Sequence, residues 1–315
     1  MAENGKMSFM NKFRVWLRNP RNFVVLGGSS AVFVTLVKAC PLLFPSQLYR
    51  PVMEAYKSGQ KVKLGESQIQ EFEDVCRDLE VETKPFHLFV TSRWDLKVKG
   101  LQFFPSGVHF GIPVLFVDKP ELQNSKFAAK LKVNMDSEEG KAFKDSIQLS
   151  QKARKFALAK EVIYSKKHYA AYPLLLAPGA VIGGFVSTFA LQVTASIFPL
   201  YITGFLVGSV FYVTYRYLLG VLNERHDLKT DDIVAQLGEN YAEGGLEFYE
   251  KTLQRNKALR KLLGSKGEAL YTYYGNDSPG VLWTKGAPIT VKRAKFQNIV
   301  QNTSAGDSPT SDKTL

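Results

Sequence analysis

The stretch Tyr169–Tyr215, YAAYPLLLAPGAVIGGFVSTFALQVTASIFPLYITGFLVGSVFYVTY, holds no charged side chain. It is about twice as long as the ~20 apolar residues one helix needs to cross a bilayer. Gln192, Thr194, Ser196 and Pro199 punctuate its middle and suit a turn. The reading is two membrane-spanning helices back to back, 169–191 and 197–219. A helical hairpin returns the chain to the side it left, so the flanking segments share one compartment. A hairpin buried in a soluble core would be the alternative, but neither half has the polar face of a surface helix.

Working outward, Asn22–Val37 is uncharged, Lys38 interrupts, and Ala39–Tyr49 is uncharged again. A lysine near the end of a span can snorkel its ammonium to the interface. Pro41 and Pro45 end the segment, which predicts a third span at 21–44. A cleaved targeting segment is the alternative, though no small-residue cleavage pattern supports it. The preceding segment, 1–20, and the first residue of the span are basic (Lys6, Lys12, Arg14, Arg18 and Arg21), with Glu3 as the sole acid. Phe9, Phe13, Trp16 and Leu17 make it amphipathic if helical, as in a mitochondrial transit sequence. A basic flank on an ordinary membrane protein has the same composition.

Three spans put the N-terminus on one face and both larger segments, 45–168 and 220–301, on the other. Near the spans the N-terminal side carries five basic residues and the other side twelve, from Lys38 through Lys229. The positive side is the cytosol-like or matrix-like one, so the larger segments are expected there. In each half of the hairpin two glycines stand four apart, Gly179 and Gly183, then Gly204 and Gly208. That spacing lets backbones approach closely. Packing within the hairpin is one reading, and a docking face for another membrane protein is the sharper one.

Over 315 residues, 41 Lys+Arg against 29 Asp+Glu give a net charge of +12. Much of the excess flanks the spans, where it meets anionic headgroups of the lipid bilayer. No nucleic-acid motif accompanies it, so a nucleic-acid partner is not expected. The mean hydropathy is -0.11, which leaves ordinary globular sequence outside the spans. Cys40 and Cys76 are too few for a disulfide framework or a zinc site.

Glu66–Val81 places Ile69, Phe72, Val75, Cys76 and Leu79 at helical spacing. Short runs at Phe86–Val90, Leu96–Phe104, Val108–Ile112 and Val114–Val117, separated by Gly and Pro, predict a small sheet. From Ser137 the pattern is helical, with Phe143 and Ile147 on one face, then Phe156, Ala159, Val162 and Ile163 on the next. After the hairpin, Asp231–Leu263 is helical by spacing, Gly244-Gly245 is expected to split it, and Gly264 suits a C-cap. The segment 302–315 is polar and reads as a disordered tail.

One arrangement bears on chemistry. Strands, a helix carrying Lys160-Glu161-Val-Ile-Tyr164, a membrane hairpin and a helix with Asp231-Asp232 follow the order of membrane-integrated zinc metallopeptidases. Those enzymes carry H-E-x-x-H, two His one turn apart on Zn²⁺ and a Glu as general base. Here Lys160 and Tyr164 stand where the His residues would, and only Glu161 is kept. A protonated Lys repels Zn²⁺ and Tyr is a poor ligand. The hypothesis is a metallopeptidase-like fold that has lost its metal, and stoichiometric zinc in the purified protein would exclude it. His87, His109, His168 and His226 show no i, i+3 or i, i+4 pair, and no nucleophile elbow or phosphate loop occurs. Asp227–Asp232 lacks the central Gly of a calcium loop. No catalytic residue, metal or cofactor is expected.

Two long blocks carry a family resemblance. The first is RKFALAKEVIY, Arg154–Tyr164. The second is EFYEK, Glu247–Lys251, continuing through Asn256, Ala258–Arg260, Leu262–Gly264 and GEALYT, Gly267–Thr272. With Gly111-Ile-Pro113 and the three-span layout, they resemble the transmembrane protein 177 family of mitochondrial inner-membrane proteins. The resemblance implies a non-enzymatic role in making cytochrome c oxidase, in association with newly made oxidase subunit II and its membrane assembly chaperone. It does not identify the surface involved. Tyr249, Lys251, Arg255 and Arg260 form an aromatic and basic cluster that could be a partner surface, though such charges more often line a solvated helix face.

The expected architecture is an α+β membrane protein: one N-terminal span, a helical hairpin, and a mixed helix and small-sheet domain formed by the two larger segments together. A scaffold is the first functional reading. A membrane-integrated metallopeptidase-like enzyme with an unrecognised site is the second. A small transporter is disfavoured, because the hairpin holds no charge to mark a substrate path.

Overall fold

Apolarity sustained over more than five turns makes three long helices, and amphipathic periodicity makes the rest. The computed structural model describes residues 12, 15–16, 19–57, 59–116, 136–195, 197–278 and 286–304. Besides the single turns Pro45–Leu48 and Arg50–Met53, the α-helices among the described residues are α1 (Pro20–Leu43), α2 (Glu66–Asp78), α3 (Glu138–Ser146), α4 (Gln151–Lys166), α5 (Tyr172–Thr194), α6 (Leu200–Ala235), α7 (Glu239–Leu262), α8 (Ser265–Leu270) and α9 (Ile289–Ser304). The strands are β1 (Tyr56–Lys57), β2 (Gln60–Lys61), β3 (Phe86–Thr91), β4 (Lys97–Gly100) and β5 (Val108–Pro113). Most of the basic segment 1–20, and the tail beyond Ser304, lie outside the described residues. Asn302–Ser304 complete α9 rather than begin a tail, with Thr303 Oγ1 donating to the Ile299 carbonyl at 2.9 Å.

The chain is an α+β membrane protein, and its contacts divide it into two units. The first joins residues up to Cys40 with Ala171–Leu219 and holds three helices long and apolar enough to cross a bilayer. Phe23 of α1 packs on Phe185 and Phe189 of α5, with ring centroids 5.2 and 5.8 Å apart. A Cβ at Gly183 would stand 2.5 Å from the Phe211 ring, and one at Gly204 would stand 3.7 Å from Thr188. These two glycines therefore serve packing within the hairpin. Gly179 and Gly208 face open space. Leu175, Val193, Phe205 and Val210 are exposed, as suits side chains that meet lipid. The third span departs from its expected bounds. It begins at Leu200, after Pro199, and α6 continues without interruption to Ala235, so no separate helix starts near Asp231.

The second unit joins Pro41–Ala170 with the chain from Gly220 onward. Beside the antiparallel pair β1-β2, its three-stranded sheet has the order β3-β5-β4, with β3 parallel and β4 antiparallel to β5. Phe72 of α2 closes one face of the sheet, 5.4 Å from the Phe86 ring and 5.1 Å from that of Phe110. Two expected strands are corrected. Leu96–Phe104 shrinks to Lys97–Gly100, because Gly100 takes φ +118 and the chain turns so that Phe104 N donates to Leu101 O. Val114–Phe116 forms a 3-10 turn instead of a strand, and Val117 lies outside the described residues. The α2 helix also stops at Asp78, short of the expected Val81.

Gly244-Gly245 does not split α7, which runs unbroken from Glu239 to Leu262; the break comes earlier, at Gly238. The glycines serve close packing instead. A Cβ on Gly244 would collide with the backbone of Lys152 and Ala153 in α4. One on Gly245 would collide with Phe296 of α9 and Phe156 of α4. At the start of α4, Ser150 caps Ala153 N at 3.2 Å, and Glu247 of α7 accepts from Ser150 N at 2.9 Å. Thus α7 is the central helix, with α4, α9 and α3 laid against it. Gly244→Ala should destabilise the protein by about 1–3 kcal/mol through overpacking against backbone. Gly179→Ala should leave stability unchanged, within about 0.5 kcal/mol. Thermal unfolding of the detergent-solubilised variants checks both.

Candidate functional site

The α4 helix has a buried inner stripe of Ala153, Phe156, Ala157, Val162 and Ile163. Lys160 and Glu161 fall at the edge of that stripe, half-buried. Asp227 and Asp231 are four apart on α6 and so share one face of that helix. Lys160 Nζ lies 2.6 Å from Asp227 Oδ1 and 2.6 Å from Asp231 Oδ1. It also donates to the Tyr249 hydroxyl of α7 at 2.6 Å. An ammonium has three N–H donors, and all three are taken. The Tyr249 hydroxyl in turn donates to Asp231 at 2.7 Å. Lys292 of α9 pairs with Asp227 from the other side. Four helices therefore meet in one network, and the Asp231 side chain at its centre is 0% exposed.

Burial alone would lower the Lys160 ammonium, but the Tyr249 hydroxyl, Asp231 and Asp227 hold it well above the ordinary lysine range. Burial works against an ionised Asp227 too, yet Lys160 and Lys292 hold its carboxyl below the usual carboxylate value. Lys292 is pulled down by burial and by the Lys160 charge. Burial raises the Asp231 carboxyl despite Lys160 and Lys292, and the Lys160 ammonium stands fixed between the two acids that cage it. A cation already fills the space between the acids, and the donor set does not fit a zinc ion. Among the described residues no three His, Cys, Asp or Glu side chains converge to hold a metal.

Beside the network opens a cleft of about 770 Å³, lined among others by Trp94, Lys97, Glu161, Tyr164, Asn256 and Lys292. Glu161 makes no hydrogen bond or ion pair among the described residues, and burial pushes its carboxyl up to about 7 despite Lys160 and Lys97. Burial and the Glu161 charge push the Tyr164 hydroxyl up to about 12. All three positions aligned with H-E-x-x-H line the cleft, where Lys160 is locked in the cage and Glu161 and Tyr164 are not. Such a cleft can accept a polar or peptide-like group, and a carboxyl near neutrality can give or take a proton there.

The expected partner cluster does not form a single surface. Tyr249 is 2% exposed and belongs to the core, because its hydroxyl closes the Lys160 network. Lys251 pairs with Asp145 at 2.8 Å, Arg255 with Asp95 at 3.0 Å and Arg260 with Glu268 at 3.2 Å. Those three act as links from α7 to its neighbours. The histidines are less scattered than their spacing suggests, since β3 and β5 pair His87 with His109 in register, rings 5.0 Å apart. Burial and His87 push His109 down to about 4. Lys292 carries no local signal in the sequence, since it stands beside Arg293 and Lys295 in a basic helix. Asp227 and Asp231 did carry a signal in their i, i+4 spacing.

Comparison with known proteins adds a family relation. Residues 119–281 match the family model described as Transmembrane protein 177. The Danio rerio protein of that name is 31% identical over 304 residues, covering 92% of this chain and 97% of its own length. The Mus musculus protein is 30% identical, covering 90% and 94%. The Homo sapiens protein is 33% identical, covering 80% and 84%. No solved structure matches the chain.

Removing the ammonium leaves buried Asp231 without its ion partner, while Asp227 keeps Lys292, so Lys160→Met should cost about 3–5 kcal/mol, read by denaturant unfolding. Glu161 has a folded value of about 7 against 4.5 when free. The folded state then holds the extra proton, so stability is full below about pH 4.5 and falls as pH rises towards 7. Relative to the native chain, Glu161→Gln should be more stable above pH 7 and no different below pH 4.5. Unfolding midpoints measured from pH 4 to pH 8 show whether the two curves separate (on the order of one step per pH unit suffices).

Proposed function

We propose that this chain, which belongs to the transmembrane protein 177 family, is a non-enzymatic scaffold of the mitochondrial inner membrane. It acts in cytochrome c oxidase biogenesis, in association with newly made subunit II and its membrane assembly chaperone. The larger segments lie on the matrix side, as the excess of basic residues beside the spans suggests. The observation that carries the reading is the Lys160 cage. The position that a hydrolytic metal would need is filled by a protonated amine with all its hydrogen bonds made. A site built this way holds helices together and leaves the adjacent cleft free to bind.

A second reading keeps an enzyme in view, because Glu161 is an unpaired carboxyl near neutrality in that cleft. One pair of experiments separates the two. Affinity capture of the tagged protein from mild-detergent-solubilised mitochondria, followed by quantitative mass spectrometry, should enrich subunit II and its chaperone. Glu161→Gln should capture them equally well and support normal oxidase levels. Lack of enrichment with intact bait would overturn the scaffold. Loss of function in a folded Glu161→Gln protein that still captures both would favour the enzyme.

A further inference from the structure

The membrane unit contains a groove of about 600 Å³ that the family relation does not account for. Its walls are apolar, with Leu26 of α1, Val181 and Phe185 of α5, and Phe211 of α6. Thr188, Tyr201 and Tyr212 add polar atoms to the lining, and its two charged side chains, Lys38 and Arg216, come with Tyr215. Contacts fix which end of the bundle they occupy. Phe23 near the start of α1 meets Phe185 and Phe189 late in α5. Gly204 near the start of α6 meets Thr188, and Gly183 meets Phe211 further along. So α1 and α6 both run opposite to α5, and Lys38, fifteen residues beyond Phe23, and Arg216, twelve beyond Gly204, lie at the same end.

Tyr215 is 9% exposed, yet its hydroxyl has no hydrogen-bond partner among the described residues. A buried hydroxyl left unpaired costs on the order of 1–3 kcal/mol, so a partner at this place is favoured. Lys38 is exposed and has no ion-pair or hydrogen-bond partner among the described residues. Beside it Arg216 adds a planar guanidinium suited to phosphate. Two cations and a hydroxyl donor at the mouth of an apolar groove match an anion joined to a long hydrocarbon chain.

We propose that this groove binds a phospholipid with a net anionic headgroup, its phosphate on Lys38, Tyr215 and Arg216 and one acyl chain along the groove. A zwitterionic headgroup offers the same phosphate but brings its own cation against Lys38 and Arg216. The site therefore selects by net charge as well as by chain.

The test uses the full chain purified in mild detergent and incubated with phosphatidylglycerol or phosphatidylcholine of matched acyl chains, with retained lipid counted by native mass spectrometry. The native chain should retain phosphatidylglycerol in preference. Lys38→Gln should lower that retention about fivefold, the loss of one cation's attraction to an anionic lipid. Gly208→Leu puts a side chain into the open space at the groove wall and should displace the lipid, with helix content by circular dichroism unchanged. Equal retention of the two lipids by the native chain would overturn the proposal. So would undiminished phosphatidylglycerol on Lys38→Gln, or stronger retention of free oleate than of either phospholipid. Should Gly208→Leu not fold, the comparison of the native chain with Lys38→Gln decides alone.

Discussion

The ammonium of Lys160, held between Asp227 and Asp231 under the Tyr249 hydroxyl, is the interaction on which the extramembrane unit depends. Taking such charges out of water costs several kcal/mol per ion, and mutual attraction repays this only where the geometry is good and every donor is satisfied. Here it is, and the partners come from α4, α6 and α7, with Lys292 of α9 completing the set. Any one of these helices sliding along its axis would leave a buried charge alone. The network thus works as a register lock: it fixes how the helices align more than it adds to net stability.

Close approach makes the lock reachable. Glycines at 244 and 245 let α7 touch the backbone of α4 and the rings of Phe156 and Phe296. With a side chain at either position the two helices would stand apart, and Tyr249, just over one turn along α7, would be carried away from Lys160. The same device appears within the membrane unit, where Gly183 receives Phe211. In lipid no hydrophobic force drives helices together, so dispersion contacts at such small residues carry the packing. In the extramembrane unit they add to an aromatic core in which Phe156 meets Phe248, Tyr249 and Phe296 at 5.0–5.7 Å.

Consecutive residues on α4 have opposite fates. Lys160 is saturated with partners, whereas Glu161, one position on and so turned about 100° around the helix, faces the cleft with none. Both line the cleft, the first with its charge fixed in a structural network and the next left for an incoming group. That division supports binding over metal-assisted hydrolysis, since the Lys160 cage offers no vacant place for a second cation. It also accounts for the basic cluster on α7, whose cations Lys251, Arg255 and Arg260 are spent on acids of neighbouring segments.

What the amino-acid order determined by itself was whatever rests on local composition and period. The charge-free run 169–215 read as a membrane hairpin, the 21–44 segment as a further span, and the stripes of α2, α3 and α4 as amphipathic helices. Family membership was legible too, in the two blocks Arg154–Tyr164 and Glu247–Thr272. Tertiary structure decided what depends on partners distant in the chain. Gly244-Gly245 looks like a helix break locally and is a contact site in the fold, because packing outweighs a glycine's small helical penalty. Tyr249 looks like a surface aromatic and is the lid on a lysine. His87 and His109 become neighbours only through parallel pairing of β3 and β5. Lys160 meets Asp227 and Asp231 because the hairpin folds back, and no period in the sequence encodes a contact across more than sixty residues. Local physics chooses the elements; long-range electrostatics and close packing choose which of their side chains meet.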